Sequence, residues 1–201
     1  MKNILGKLIV FLLSLFASWA LLYFVISEFI LRFTQSSNIL NFIIMIFAAF
    51  LFYSFAISII NKKFDKFYID IIAILYFLLV IGITFFKSSY SYSPINLNPL
   101  SIINDFGEYF HHTLLVLISN IFIYIPLGIY VRYKTNIRII KLLFDFLIYI
   151  VLIEFTQHIT YTGIFDINDI ITNTFGFLIG ILGTNIYRKS YDQSINGSVK
   201  K

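Results

Sequence analysis

Apolar residues come in six long runs along this chain, separated by short polar stretches, and each run predicts a helix. The predicted helices are Leu8–Ile26, Ile39–Ile60, Ile69–Phe86, Thr113–Val131, Leu142–His158 and Ile167–Tyr187. Each reaches the roughly 17–25 residues that a bilayer core demands. Ser18-Trp19-Ala20 in the first run has the small-x-small form of a signal-peptide cleavage site. The apolar run continues past it, so an uncleaved anchor is expected. Between Lys87 and His112, Pro94, Asn96, Asn98 and Pro99 predict an irregular or re-entrant loop. The chain beyond Arg188 is polar and reads as a frayed tail. This divides the chain into helices one and two (1–66), a transmembrane core (67–187) and the tail (188–201).

Composition turns these runs into a class. The chain is 201 residues long, 59% hydrophobic and 12% charged, with a mean hydropathy of +0.88. That is far from the soluble norm and implies an all-α, polytopic transmembrane bundle of about six spans. A net charge of +5 would suit nucleic acid, but its placement argues for membrane orientation instead. Of the 15 Lys and Arg, all but Arg32 and Lys87 fall at the N-terminus, in alternate loops or in the tail. The positive-inside rule then puts both termini in the cytoplasm and the loops after helices three and five outside. With no cysteine there is neither disulfide nor thiolate chemistry.

The remaining polar residues carry the candidate chemistry. Asn120 is expected roughly 10 Å below the outer end of helix four. Glu154 and Gln157, three apart, share a face near the outer end of helix five. Asp166 reads as the N-cap of helix six, Asp169 as the acid of a capping box, and Asn173 lies one turn deeper. Amides and carboxylates from three helices thus reach one depth, where ionisable groups are costly and point to function. Below them Gly176, Gly180 and Gly183 form a stripe that lets helices pack closely. Pro126 is expected to kink helix four, splay its outer half and open a polar cavity toward the outer leaflet.

Plainer roles stand beside these. Asp166 and Asp169 suffice as helix caps, and Asn120 and Asn173 could bond each other. Asp145 is placed to pair with Lys141, four residues earlier. Asp105, Glu108, His111 and His112 have a metal-like composition, but nothing compels a third ligand beside Glu108 and His112. No metal or other cofactor is called for.

Three blocks resemble the VanZ-like family. They are INLNPLSII at Ile95–Ile103, NIFIYIPLG at Asn120–Gly128, and EFTQ with FDINDIITNTFGFLIG at Glu154–Gln157 and Phe165–Gly180. The likeness covers about the C-terminal half, and its last block is the most specific. It implies an integral membrane protein of the bacterial envelope. The family is named for a Gram-positive accessory protein linked to resistance to teicoplanin, a lipid-bearing glycopeptide antibiotic. The name brings no settled catalytic mechanism. Many members carry an arginine just before the Phe-Asp pair, whereas Tyr161-Thr162-Gly163-Ile164 stands here. The resemblance then requires another counterweight to the acids: His158, a bound cation or a protonated Glu154.

Three functions fit this pattern. The preferred one is a non-enzymatic envelope protein whose polar cavity binds an amphipathic molecule. Its partners would be membrane lipids and a lipid-linked envelope precursor or lipoglycopeptide, with no nucleic acid. Paired carboxylates would also serve an enzyme acting on envelope lipids. However, the chain has no Gly-x-Ser-x-Gly, no His-Glu-x-x-His and no cysteine. A transporter using Glu154 as a proton relay is the third, against which stand the lack of an inverted repeat and the confinement of polarity to one half.

Overall fold

The computed structural model describes residues 4–26, 38–62, 66–85, 91 and 94–198, which form two compact units, Met1–Ser89 and Tyr90–Lys201. The first unit holds three helices: α1 (Ile4–Leu21, continued by a π-helical turn, Leu22–Ile26), α2 (Asn38–Asn61) and α3 (Lys66–Phe85). The second holds β1 (Ile95–Asn96), α4 (Ser101–Lys134), α5 (Ile139–Ile159), β2 (Phe165–Asp166) and α6 (Ile167–Ser198). Helix is thus the secondary structure of nearly all described residues, as an all-α membrane bundle requires.

By length and composition five of these six helices can cross a membrane. The exception is α5, which carries Lys141, Asp145 and Glu154 within 21 residues. Several boundaries also differ from the predicted ones. Helix α1 begins at Ile4, α4 extends back to Ser101, and α6 runs on to Ser198, so the expected frayed tail continues the helix. Residue Phe86 and parts of the loops around Arg32 and Lys87 lie outside the described residues.

Packing in the first unit inverts the soluble pattern. Large apolar side chains of α1 (Leu5, Leu12, Phe16) are exposed, whereas its buried residues are Ser14 and Ser18. Each serine hydroxyl donates back into its own helix, Ser14 to the Val10 carbonyl and Ser18 to the Leu15 carbonyl, both at 2.8 Å. Small, internally satisfied residues allow close helix contact where lipid leaves no hydrophobic drive between helices. Leu40, Ile44 and Leu79 form the apolar contact between α2 and α3.

In the second unit, the α4–α6 contact is the most extensive. It is built on glycines. A Cβ at Gly176 would run into the Ile121 carbonyl, and one at Gly180 into the Ile125 carbonyl and the Ile129 amide. Gly128, opposite, would meet the Phe177 carbonyl. The rising order of these pairs, Ile121 with Gly176 and Ile125 with Gly180, makes the two helices parallel. Gly183 was expected to extend the stripe, but it is exposed and a Cβ there meets nothing within 4 Å.

Pro126 lies inside α4, whose backbone stays helical in φ and ψ at that point. Pro126 sits on the exposed face, and α4 contacts α6 both before it (Ile121, Ile125) and after it (Gly128, Ile129). Glycine contacts on either side of it hold the helix against its neighbour. The non-helical residue is instead Tyr109 (φ −136°, ψ 51°), and the Thr113 hydroxyl bridges this break to the Asp105 carbonyl at 3.1 Å. A straight helix of 34 residues would be about 51 Å long, against a hydrocarbon core of about 30 Å. The break divides α4 into a short N-terminal segment and a longer apolar part. It also separates Glu108 from His112, which a continuous helix would have placed one turn apart.

At the opposite end, two arginines tie the α4–α5 connection to α6. Arg132 donates to Asn185 Oδ1 and the Ile137 carbonyl, and Arg188 donates to Asn136 Oδ1 and the Tyr133 carbonyl.

The glycine contacts set a stability test. Gly180→Val drives a branched side chain into the α4 backbone and costs about 1–3 kcal/mol or more. Gly183→Ala stays within about 0.5 kcal/mol of the parent, being an exposed change. Thermal unfolding of the detergent-solubilised protein separates the two, and an unchanged midpoint for Gly180→Val contradicts the packing.

Candidate functional site

The candidate site forms where β1, the N-terminal half of α4, the end of α5 and the start of α6 meet. Helix α5 stops in a Schellman arrangement. The Thr162 amide donates to the Gln157 carbonyl at 3.0 Å and the Tyr161 amide to the His158 carbonyl at 3.3 Å. Tyr161 takes the left-handed conformation usual for glycine there (φ 57°). Gly163 follows, its missing side chain leaving room for Gln157: a Cβ would come within 3.2–3.3 Å of the Gln157 side chain.

The chain then pairs with the α3–α4 loop as a two-residue parallel bridge, Ile95 beside Phe165 and Asn96 beside Asp166. Asp166 caps α6, its Oδ1 accepting the Asn168 amide at 2.8 Å. Its Oδ2 accepts Asn96 Nδ2 at 3.1 Å. Asn96 Nδ2 also reaches Ser101 Oγ at 2.7 Å, and Asn168 Nδ2 reaches the same hydroxyl at 3.0 Å. The start of α4 and the start of α6 are therefore joined through one polar network.

One turn deeper, Asn120 Nδ2 donates to Asp169 Oδ1 at 2.7 Å. Asn120 thus meets Asp169, whereas the plainer reading had paired it with Asn173. Asn173 is 5% exposed, and its Oδ1 has no hydrogen-bond partner. On α5, Glu154 and Gln157 are 3% and 2% exposed, on the same buried face as Phe146 and Ile150. Asp166, Asp169 and Asn120 are half-buried.

The Phe146 and Phe177 rings stack at 4.2 Å between centroids and 6° between planes, which sets the register of α5 against α6. The two helices are joined by a short turn and run antiparallel. Stepping one turn at a time from that stack brings Ile150 level with Asn173 and Glu154 level with Asp169. Tyr124 of α4 meets the edge of Phe146 at 5.1 Å. Tyr124, Phe146 and Phe177 thus form an aromatic floor under the polar residues.

The six site residues therefore occupy one end of the three-helix unit. Of these, the Asn120–Asp169 pair is joined directly, Asp166 is tied to the loop, and Glu154, Gln157 and Asn173 are enclosed rather than lining an open cleft. The oxygens of Asp166 and one of Asp169 are met by amide donors. Sequence reasoning missed Ser101 and Asn168 as parts of the network and Gly128 as half of the α4–α6 contact. Asn96, Ser101, Gly128 and Asn168 all lie within the motif blocks, which was the available signal. Among the described residues no three His, Asp or Glu side chains converge to hold a metal.

Parallel and antiparallel apolar helices with their polarity gathered at one end describe a multi-pass membrane protein. The chain belongs to the VanZ/LLP1 family, whose sequence model matches residues 73–188. No curated protein and no solved structure matches it.

The network predicts how the loop is held. Asn96→Ala removes the side-chain link between β1, Ser101 and Asp166 but leaves the Asp166 cap intact. Hydrogen–deuterium exchange should quicken in residues 94–102 while the start of α6 stays protected. Asp166→Ala should expose both, at about 1 kcal/mol for the lost cap.

Proposed function

We propose that this VanZ/LLP1-family protein lies in the bacterial cell membrane with both termini in the cytoplasm. Its polar end faces the extracellular side and binds an amphipathic or lipid-linked envelope molecule. The observation that carries this reading is the gathering of Asn120, Glu154, Gln157, Asp169 and Asn173 at one end of α4, α5 and α6, above an aromatic floor. Buried polar groups in an apolar bundle are costly to keep, so their concentration at one end argues for use. The apolar flanks would hold the acyl part and the polar groups would orient the headgroup. By occupying or presenting such a molecule, the protein would lower susceptibility to lipid-bearing glycopeptides, as the family link suggests.

Orientation is directly testable because the chain has no native cysteine. Thr162→Cys should react with an impermeant maleimide on intact cells, and Asn136→Cys only after permeabilisation. The reverse pattern overturns the assigned sidedness. Photo-crosslinking with lipid-linked precursors or lipoglycopeptides tests binding. Labelling should fall at least about tenfold in Glu154→Gln or Asp169→Asn, the effect of losing one charge-assisted contact. Labelling indifferent to both variants removes the proposal. Glycopeptide susceptibility should rise on deletion of the gene and remain raised when either variant is supplied.

A further inference from the structure

We propose that the basic end of the second unit binds the phosphodiester headgroup of an anionic phospholipid. The inference stands apart from the polar end and its ligand. Three elements supply the charge. Arg132 and Lys134 close α4, Arg138 and Lys141 open α5, and Arg188 and Lys189 lie on α6. Residues 132–141 contain no acid. The acids nearest in sequence are Asp145, one turn beyond Lys141, and Asp192, three residues after Lys189.

Hydrogen bonds gather these cations into one patch. Arg188 donates from Nη1 to Asn136 Oδ1 at 3.0 Å and from Nη2 to the Tyr133 carbonyl at 2.9 Å. Arg132 donates from Nε to Asn185 Oδ1 and from Nη1 to the Ile137 carbonyl. The end of α4, the start of α5 and the later part of α6 are thereby held side by side. All four acceptors are neutral oxygens. They fix where the two guanidinium groups sit and leave the positive charge uncancelled.

The placement of the other cations adds to that charge. Arg132 and Lys134 suit the carbonyl end of α4. Arg138 and Lys141 oppose the dipole at the start of α5, whose first turn holds no acid. Arg138, Lys141 and Lys189 are exposed, and the four bonds that brace this end do not use them. An anion from outside relieves the repulsion that the fold leaves in place.

Apolar neighbours choose the kind of anion. Ile137, Ile140 and Phe144 are exposed beside Arg138 and Lys141, and Ile186 and Tyr187 are exposed beside Arg188. Ile140 and Phe144, four apart, share one face of α5. A soluble anion gains nothing from that surface. A phospholipid uses both parts, its phosphate against the cations and its acyl chains along the apolar side chains. A headgroup with net negative charge is preferred to a zwitterionic one, whose ammonium the cations repel.

The purified full-length protein, delipidated and offered equimolar phosphatidylglycerol and phosphatidylcholine, can be read by native mass spectrometry. Phosphatidylglycerol should be retained about tenfold over phosphatidylcholine. The double variant Arg138→Gln/Lys189→Gln should bring that ratio close to one. Arg138→Lys/Lys189→Arg, which keeps both charges, should preserve it, as should Lys7→Gln at the exposed start of α1. Equal retention of the two lipids by the parent protein overturns the proposal. So does a preference that survives Arg138→Gln/Lys189→Gln, or one that Lys7→Gln reduces as much, because the charge is then diffuse rather than a site. Inorganic phosphate in excess should fail to displace phosphatidylglycerol, and full displacement overturns the lipid as occupant.

Discussion

Lipid chains solvate apolar side chains about as well as a protein interior does, so helices in a bilayer gain little from burying leucines against one another. What they gain comes from close contact and from polar groups that lipid cannot satisfy. In the second unit of this protein that constraint is met at the α4–α6 crossing. There Gly128, Gly176 and Gly180 remove every Cβ that would hold the two backbones apart. The contact fixes more than stability. It makes α4 and α6 parallel, sets Asn120 beside Asp169, and keeps α4 against its neighbour on both sides of Pro126. A proline lacks one amide, but the loss falls on the exposed face, where no packing depends on it.

The polar end follows from that crossing and from how α5 terminates. The tight stop at Tyr161 returns the chain at once toward α6 and leaves Gln157 against Gly163. The β1–β2 bridge then draws a segment nearly 70 residues earlier onto the start of α6, with Asn96 meeting Asp166. Helix capping, loop attachment and the enclosure of Glu154 and Asn173 are therefore linked. The carboxylates that cap and brace α6 accept hydrogen bonds from the amides of Asn168, Asn96 and Asn120.

Much of this was legible in the residues. The six apolar runs marked the six helices, the Asp166 cap was read from its position before Ile167, and the glycine spacing announced a close helix contact. The matched motifs led to the family to which the chain belongs. What was not legible depended on partners far away in sequence. Asn96 looked like loop punctuation because its role needs Asp166. The spacing that joined Gly183 to Gly176 and Gly180 was sound on one helix, but Gly183 is exposed and turned away from α4, which still reaches α6 beyond it through Arg132 and Asn185. Pro126 pointed to a local break, whereas the non-helical residue in α4 is Tyr109, which no proline or glycine marks.

The sequence by itself determined the class of molecule, because hydrophobic length and the scarcity of charge are properties of each segment alone. It also marked which polar residues stand within otherwise apolar segments. Only the tertiary structure decided which of them meet: Asn120 with Asp169 and Asn96 with Asp166, while the Asn173 Oδ1 finds no partner among the described residues. Such pairings depend on helix direction and register, which here are set by backbone contact at three glycines and by one pair of stacked rings, between residues that no local pattern connects.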